Sequence, residues 1–451
     1  MSLEQSFNII NGKIWTRGSI FEGGLHILDG QIEKIGKESK LPEAEKLDAK
    51  GNLILPGLID LHVHFREPGD THKEDFLTGT RAAAAGGVTT VVDEPNNTPV
   101  ISTPERLKDK LSLIKSKAYV DYSITAALTL ENLGLINQFR DLGAVVFAIF
   151  DELGGNRTGM NNLGVLYEGL KKIQSSNALA YLNCRESDIV VHKIKKMVEA
   201  GKNSPESYDH HFPYVAEYCG AARSIILSHA AGVKTHLREI STQETVDIIR
   251  KLSNYTNRIT VEVRPDHLFL NTENTRNLGP YSQQWTPIRS KENSDALWQA
   301  LREGLIDIIA SDHATHTPEE KEQGWSNIWQ SPPGLPGIET MLPLLLTKVN
   351  KGELELQRLV QTTANNPAKT LGVYPKKGTI QKGSDADLVI VDLKREAEIR
   401  GDAFFSKNKW TPFEGWKVQG LPVTTIVRGI KTFENGEILG KPGQGRLLRA
   451  N

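Results

Sequence analysis

The sequence predicts an α/β chain: a (β/α)8 barrel of the TIM type carrying a small β-sandwich domain built from both chain ends. Three observations predict it. From about residue 56 to 370, apolar β-branched runs alternate with helical stretches. The segments on either side read as short strands punctuated by hairpin signals. The 451 residues hold one barrel of about 250 residues with a sizeable remainder. The expected division is 1–55 for the N-terminal part of the β domain, 56–370 for the barrel and 371–451 for the C-terminal part.

Taken in order, Phe7-Asn8-Ile9-Ile10 runs into Asn11-Gly12, a hairpin signal. Leu25-His26-Ile27-Leu28 meets Asp29-Gly30, a second one, and Gln31–Ile35 alternates. The barrel segment offers apolar strand runs at 87–92, 144–150, 259–263 and 306–310. Helical patterns fall at 73–86, 103–116, 162–175, 187–200, 212–231, 242–253, 292–303 and 337–350. Strand character returns at 387–391 and 424–429, and Phe433–Ile438 encloses Asn435-Gly436 as a third hairpin. Strand-rich segments at opposite ends of a chain can share one sheet, because termini often lie close together.

Composition narrows the function classes. Hydrophobic residues are 38% and charged residues 24%, ordinary for a globular chain. With 54 basic and 55 acidic residues there is no broad basic field, so nucleic acid is not the expected partner. Two cysteines are too few for a disulfide framework and fit a reducing compartment. The opening MSLEQSFNIINGKIW lacks a basic region followed by a long apolar run, and no apolar stretch approaches 18 residues. The expected setting is cytoplasmic, with no membrane association.

The chemistry gathers at strand ends. His62 and His64, spaced by two at the end of an apolar run, fall on one face of a strand. In a barrel that face opens at the C-terminal mouth, where two imidazoles suit a divalent ion such as Zn²⁺. The alternative is a polar pair on an exposed strand. Asp312 ends the run Ile306–Ala310-Ser311-Asp312, with His313 and His316 close behind. It is either a ligand and proton acceptor or a turn aspartate. His316 is either a substrate contact or a solvated loop histidine. Asn96, after the strand run at 88–92, offers a donor and an acceptor for a carboxylate or amide, unless it only closes a turn. Gly334, within Pro332-Pro333-Gly334-Leu335-Pro336-Gly337, either lets backbone approach a ligand or sits in a stiff loop.

Leu55-Pro56-Gly57-Leu58-Ile59-Asp60-Leu61-His62-Val63-His64-Phe65-Arg66-Glu67-Pro68-Gly69 resembles the opening motif of the dihydroorotases, within the amidohydrolase superfamily. So do Ala82–Thr90, Glu94–Pro99, Ala310–His316, Pro412–Trp416 and Thr425–Gly429, so that the resemblance spans nearly the whole chain. It implies a divalent metal, Zn²⁺ by type, held through His62, His64 and Asp312. The implied reaction is reversible ring opening of dihydroorotate to N-carbamoyl-aspartate, with Asp312 moving the proton. Arg66 and Asn96 would hold the substrate carboxylate, and Gly334 would lie in the loop over the substrate.

Four positions depart from that pattern. Ala148 stands where a lysine or aspartate would bridge two metals, with Asp151 three residues on. Asn183 and Glu239 replace histidines, and Thr286 replaces a substrate asparagine. Glu239 can still ligate through oxygen, so the expected set is His62, His64, Glu239 and Asp312 around one ion rather than two. The alternatives are a catalytically impaired relative that partners a pyrimidine enzyme such as aspartate transcarbamoylase, or an amidase for another ureide of hydantoin or allantoin type. Arg66 argues against neutral ureides, because a desolvated guanidinium wants an anion. A homodimer is the expectation by analogy with the family.

Overall fold

The computed structural model describes residues 6–153 and 156–449. Eight parallel strands form the barrel: β1 Leu58–Val63, β2 Val88–Asp93, β3 in two pieces (Asp121–Ile124 and Ala126–Leu128), β4 Val146–Ile149, β5 Leu179–Asn183, β6 Lys234–Arg238, β7 Ile259–Val263 and β8 Ile308–Ile309. Neighbours pair in that order on both sides of the break in β3. A parallel bridge between Val63 and His313, with the His64 amide donating to the His313 carbonyl at 2.9 Å, joins the last strand to the first. Strands buried on both faces explain why the sequence reads them as continuous apolar runs.

The helices fall close to their expected spans, and side chains set several of their starts. Asp75 caps Phe76–Ala85 by accepting from the Thr78 amide, and Thr103 caps Pro104–Ile114. Asn162 caps Leu163–Ser175 and Thr242 caps Gln243–Lys251 in the same way. Among the described residues, no helix is long and apolar enough to cross a membrane.

The chain-end strands form one nine-stranded mixed sheet. Leu53–Pro56 pairs antiparallel with Leu388–Glu398, which stitches the two ends together over a separate core that includes Ile9, Ile27, Ile54 and Ile390. One turn reading is corrected here. Asn11-Gly12 does not end a strand: Ser6–Thr16 runs through it with a register shift, and the chain turns at Arg17-Gly18. Asn11 uses its left-handed φ of 53° for a bulge, and a side chain at Gly12 would collide with Ile54. Asp29-Gly30 and Asn435-Gly436 turn as expected.

At the foot of the barrel, Lys377 lies 2.7, 3.2 and 2.5 Å from Asp121, Asp385 and Asp387, and Arg428 also contacts Asp121. These buried carboxylates tie barrel to sheet, and the protein's own cations neutralise them.

Candidate active site at the barrel mouth

The last residues of the strands and the first of the following loops converge at one end. His62 lies in β1 and His64 follows it; Asp312 follows β8. His62 Nε2 lies 3.2 Å and His64 Nε2 3.0 Å from the same oxygen, Asp312 Oδ1. These three residues can place their donor atoms within 4.8 Å of one another. Each imidazole is fixed from behind. His62 Nδ1 meets Glu262 Oε1 at 3.0 Å, and His64 Nδ1 meets Asn96 Oδ1 at 2.8 Å. An oxygen on Nδ1 orients Nε2 toward a metal, which is the usual outer-shell arrangement for zinc-binding histidines. Two histidines and a carboxylate fit one tetrahedral ion with a position left for water or substrate.

Glu262 does more than hold His62. Its second oxygen lies 2.9 Å from His236 Nε2, whose Nδ1 meets Thr260 Oγ1. Burial pushes the Glu262 carboxyl up, but His62 and His236 together hold it below the usual carboxylate range. Burial pushes the His62 imidazole down, yet Asp312 and Glu262 bring it up to about 9. Asp312 is likewise held well below its ordinary range against the effect of burial, by His62, His64 and Arg264. The chain thus builds a chain of alternating charges across the mouth.

Glu239, the expected fourth ligand, does not join this cluster. Its Oε1 accepts from Asn183 Nδ2 at 2.6 Å, and its Oε2 accepts from Thr286 Oγ1 at 2.8 Å and faces Arg264 at 3.4 Å. The three substituted positions therefore satisfy one another, leaving Glu239 short of free lone pairs for an ion. Ala148 is fully buried among apolar neighbours, and Asp151 is not in the donor cluster. Arg238, at the end of β6, lies over the Phe150 and Tyr181 rings and pairs with Glu94 at 2.7 Å.

A cavity of about 480 Å³ opens above the histidines. Arg66, Asn96, Asn183, Arg238, Glu239, Asp312 and His316 all reach its wall. Asn96 keeps its place there, but its oxygen is committed to His64. His316 Nε2 meets the Pro333 carbonyl at 3.0 Å, and burial pushes its imidazole down to about 3. Gly334 is not on the wall; its backbone, at φ 151°, packs against Ala314 and the His316 ring, where a side chain would clash. On the far side Arg185 lies over Trp285, beside Val190, Val191 and Ile194. Arg66, Glu239 and Asp312 adopt left-handed φ of 57°, 61° and 46°. Such backbone costs about 1–3 kcal/mol per residue and collects where side chains must be aimed.

Buried Lys321 pins the loop over the cavity. Its ammonium donates to the carbonyls of Pro332 (2.9 Å), Gly334 (3.3 Å) and Gln283 (3.4 Å) and lies over the Trp410 ring. Lys321→Met leaves buried carbonyls without donors. The expected loss is about 1–3 kcal/mol in denaturant unfolding, with a looser loop.

The sequence profile of the amidohydrolase family matches residues 187–438, and that of the dihydro-orotase-like family matches residues 51–245. A dihydroorotase from Bacillus cereus strain G9842 is 38% identical over 417 residues, covering 91% of this chain and 94% of that one. The chain belongs to the dihydroorotases of the amidohydrolase family. Among solved structures, the L-hydantoinase (dihydropyrimidinase) of Arthrobacter aurescens superposes with a TM-score of 0.93 at 31% identity, covering 98% of this chain and 99% of that one. The dihydropyrimidinase of Brevibacillus agri NCHU1002 gives 0.92 at 27%, covering 99% of each. As an amidohydrolase of this branch the chain is a metal-dependent hydrolase of cyclic amides, and the mouth holding His62, His64 and Asp312 is where a barrel enzyme does its chemistry.

Four residues that shape this mouth went unread in the sequence: Glu262, Arg264, Arg238 and Glu94. Glu262 left a trace, as a carboxylate inside the apolar run Ile259–Val263, where a buried charge demands a partner.

Proposed function

We propose that this dihydroorotase-family chain opens an anionic cyclic ureide, dihydroorotate by family, using one divalent ion at His62, His64 and Asp312. The observation that carries this reading is the convergence of both Nε2 atoms on Asp312 Oδ1, with each imidazole braced through Nδ1. A divalent ion bound there, Zn²⁺ by donor type, would be held by His62, His64 and Asp312 and would supply Lewis acidity at the mouth. The residues supply the rest. Glu262 and Asn96 fix the ring planes. Asp312 accepts the proton of the attacking water and returns it to the ring nitrogen. Water oxygen bonds to the amide carbon, the carbon–nitrogen bond breaks, and the nitrogen leaves protonated.

Arg66 supports an anionic substrate. Its guanidinium lines the cavity, and Nη2 has only His316 Nε2 at 3.3 Å, with no carboxylate partner among the described residues. Arg66→Met should raise KM for dihydroorotate about 10- to 100-fold, the worth of a hydrogen bond to a charged group. Steady-state kinetics with dihydroorotate against neutral hydantoin test this: the variant loses selectivity for the anion, and equal loss on both substrates counts against the role.

A second reading draws on the closed Asn183–Glu239–Thr286 contacts, which leave fewer ligands than the family pattern. In it the chain serves as a non-catalytic partner of an aspartate transcarbamoylase. It predicts co-elution with that enzyme and no turnover with any divalent ion.

A further inference from the structure

Among the described residues, four side chains on the cavity wall carry a carboxamide: Asn96, Asn97, Asn183 and Gln284. Three are spent within the protein. Asn96 Oδ1 faces His64, and Asn97 Oδ1 accepts from the Lys110 ammonium at 2.7 Å. Asn183 uses both ends: Nδ2 donates to Glu239, and Oδ1 accepts from Arg238 Nη2 at 2.7 Å. Gln284 differs. It is only 2% exposed, it lines the cavity, and its amide has no hydrogen-bond partner among the described residues. Its neighbour Gln283 donates to the Ile328 carbonyl at 3.2 Å and is not on the wall.

An amide taken out of water without a partner costs free energy. Nearly all buried polar groups in proteins are paired, so an exception calls for a reason. A place on the wall of a ligand cavity supplies one. A carboxamide presents a donor and an acceptor side by side. Its complement is a C=O and an N–H lying on the same side of one bond. A trans peptide amide sets them on opposite sides. A small ring forces them together, and a cyclic ureide offers that edge on both flanks of the carbonyl between its nitrogens.

We propose that Gln284 is a specificity-determining residue that reads the ureide ring, pairing its amide with a ring carbonyl and the N–H beside it. Arg66 answers the anionic substituent, so the two residues read different parts of one ligand. Thr286, two residues along, does not share the task, because its hydroxyl donates to Glu239. The inference rests on reading this mouth as a cyclic-ureide site, but its test reads binding rather than turnover.

The probes are orotate and uracil, whose conjugated rings keep the ureide edge and resist opening, together with each ring methylated at one nitrogen or the other. Calorimetric titration of the full zinc-loaded chain gives Kd for wild type and Gln284→Met, and circular dichroism melting establishes that the variant is folded. In the wild type, methylation of the nitrogen facing Gln284 should weaken binding about 10-fold. In Gln284→Met the unmethylated ring should bind about 10-fold more weakly than in the wild type, and that methylation should then cost nothing. A loss that is purely structural would weaken methylated and unmethylated rings alike. Methylation penalties at both nitrogens that are the same in variant and wild type overturn the proposal. Should Gln284→Met fail to fold, Gln284→Asn, which withdraws the amide by one carbon, takes its place with the same expected loss of the penalty. A wild type that binds uracil but not orotate, with the penalty still tied to Gln284, upholds this inference and overturns the anionic substrate of the proposed function. A wild type that binds neither ring overturns both.

Discussion

Asp312→Asn is expected to lower the rate of dihydroorotate ring opening about 10³- to 10⁴-fold, the upper part of the range for removing a positioned general acid–base. The change is nearly isosteric, so the effect isolates chemistry from packing. The carboxylate receives both imidazoles on Oδ1 and a guanidinium on Oδ2. An amide can answer at most one of these faces as an acceptor and must present N–H groups to the other. It neither takes a proton from water nor offers a negative oxygen to an ion. Circular dichroism melting should show a folded variant, and its metal content should fall. A folded Asp312→Asn with wild-type turnover removes Asp312 from the mechanism.

The second large effect belongs to Glu262. Glu262→Ala should destabilise the protein by about 3–5 kcal/mol, as removal of one partner from a buried charge network does. Both of its oxygens are used, 3.0 Å from His62 and 2.9 Å from His236, in a fully buried setting. The truncation leaves two imidazoles without an acceptor. It also frees the His62 ring to turn, so metal affinity should fall about 10- to 100-fold, the usual loss when an outer-shell oxygen is removed. Denaturant unfolding of the metal-free protein and zinc titration separate the two consequences. Glu262→Gln, which retains a hydrogen-bonding oxygen, should recover much of the stability. If Glu262→Ala unfolds like wild type and binds zinc equally well, the relay is not holding the site.

Most of the architecture was legible because local rules coincide with the global fold. The alternation of β-branched runs with capped helices is a property of neighbouring residues, and the closed barrel follows from it. Asn11-Gly12 misleads because the same left-handed asparagine serves a turn or a bulge, and the choice depends on Ile54, more than 40 residues away. The convergence of His62, His64 and Asp312 was legible for the same local reason: His62 and His64 are two apart at the end of one strand, and Asp312 follows another. The network behind them was not. The His62–Glu262 contact joins residues 200 apart, and Arg238 meets Glu94 across the barrel. Asn183, Glu239 and Thr286 read singly as losses from a family pattern. Only in three dimensions do they become one hydrogen-bonded set, with Glu239 at its centre and Arg264 beside it. No spacing rule finds such a set, because its members pair by geometry at the mouth and not by periodicity along the chain.

Dihydroorotate ring opening by the purified chain, stripped of metal and then titrated with Zn²⁺ beside Asp312→Asn, decides whether this mouth is a one-ion hydrolase. Turnover should rise with zinc, saturate at one ion per chain and be lost in the variant. A folded wild type with no turnover under any divalent ion rules the one-ion hydrolase out.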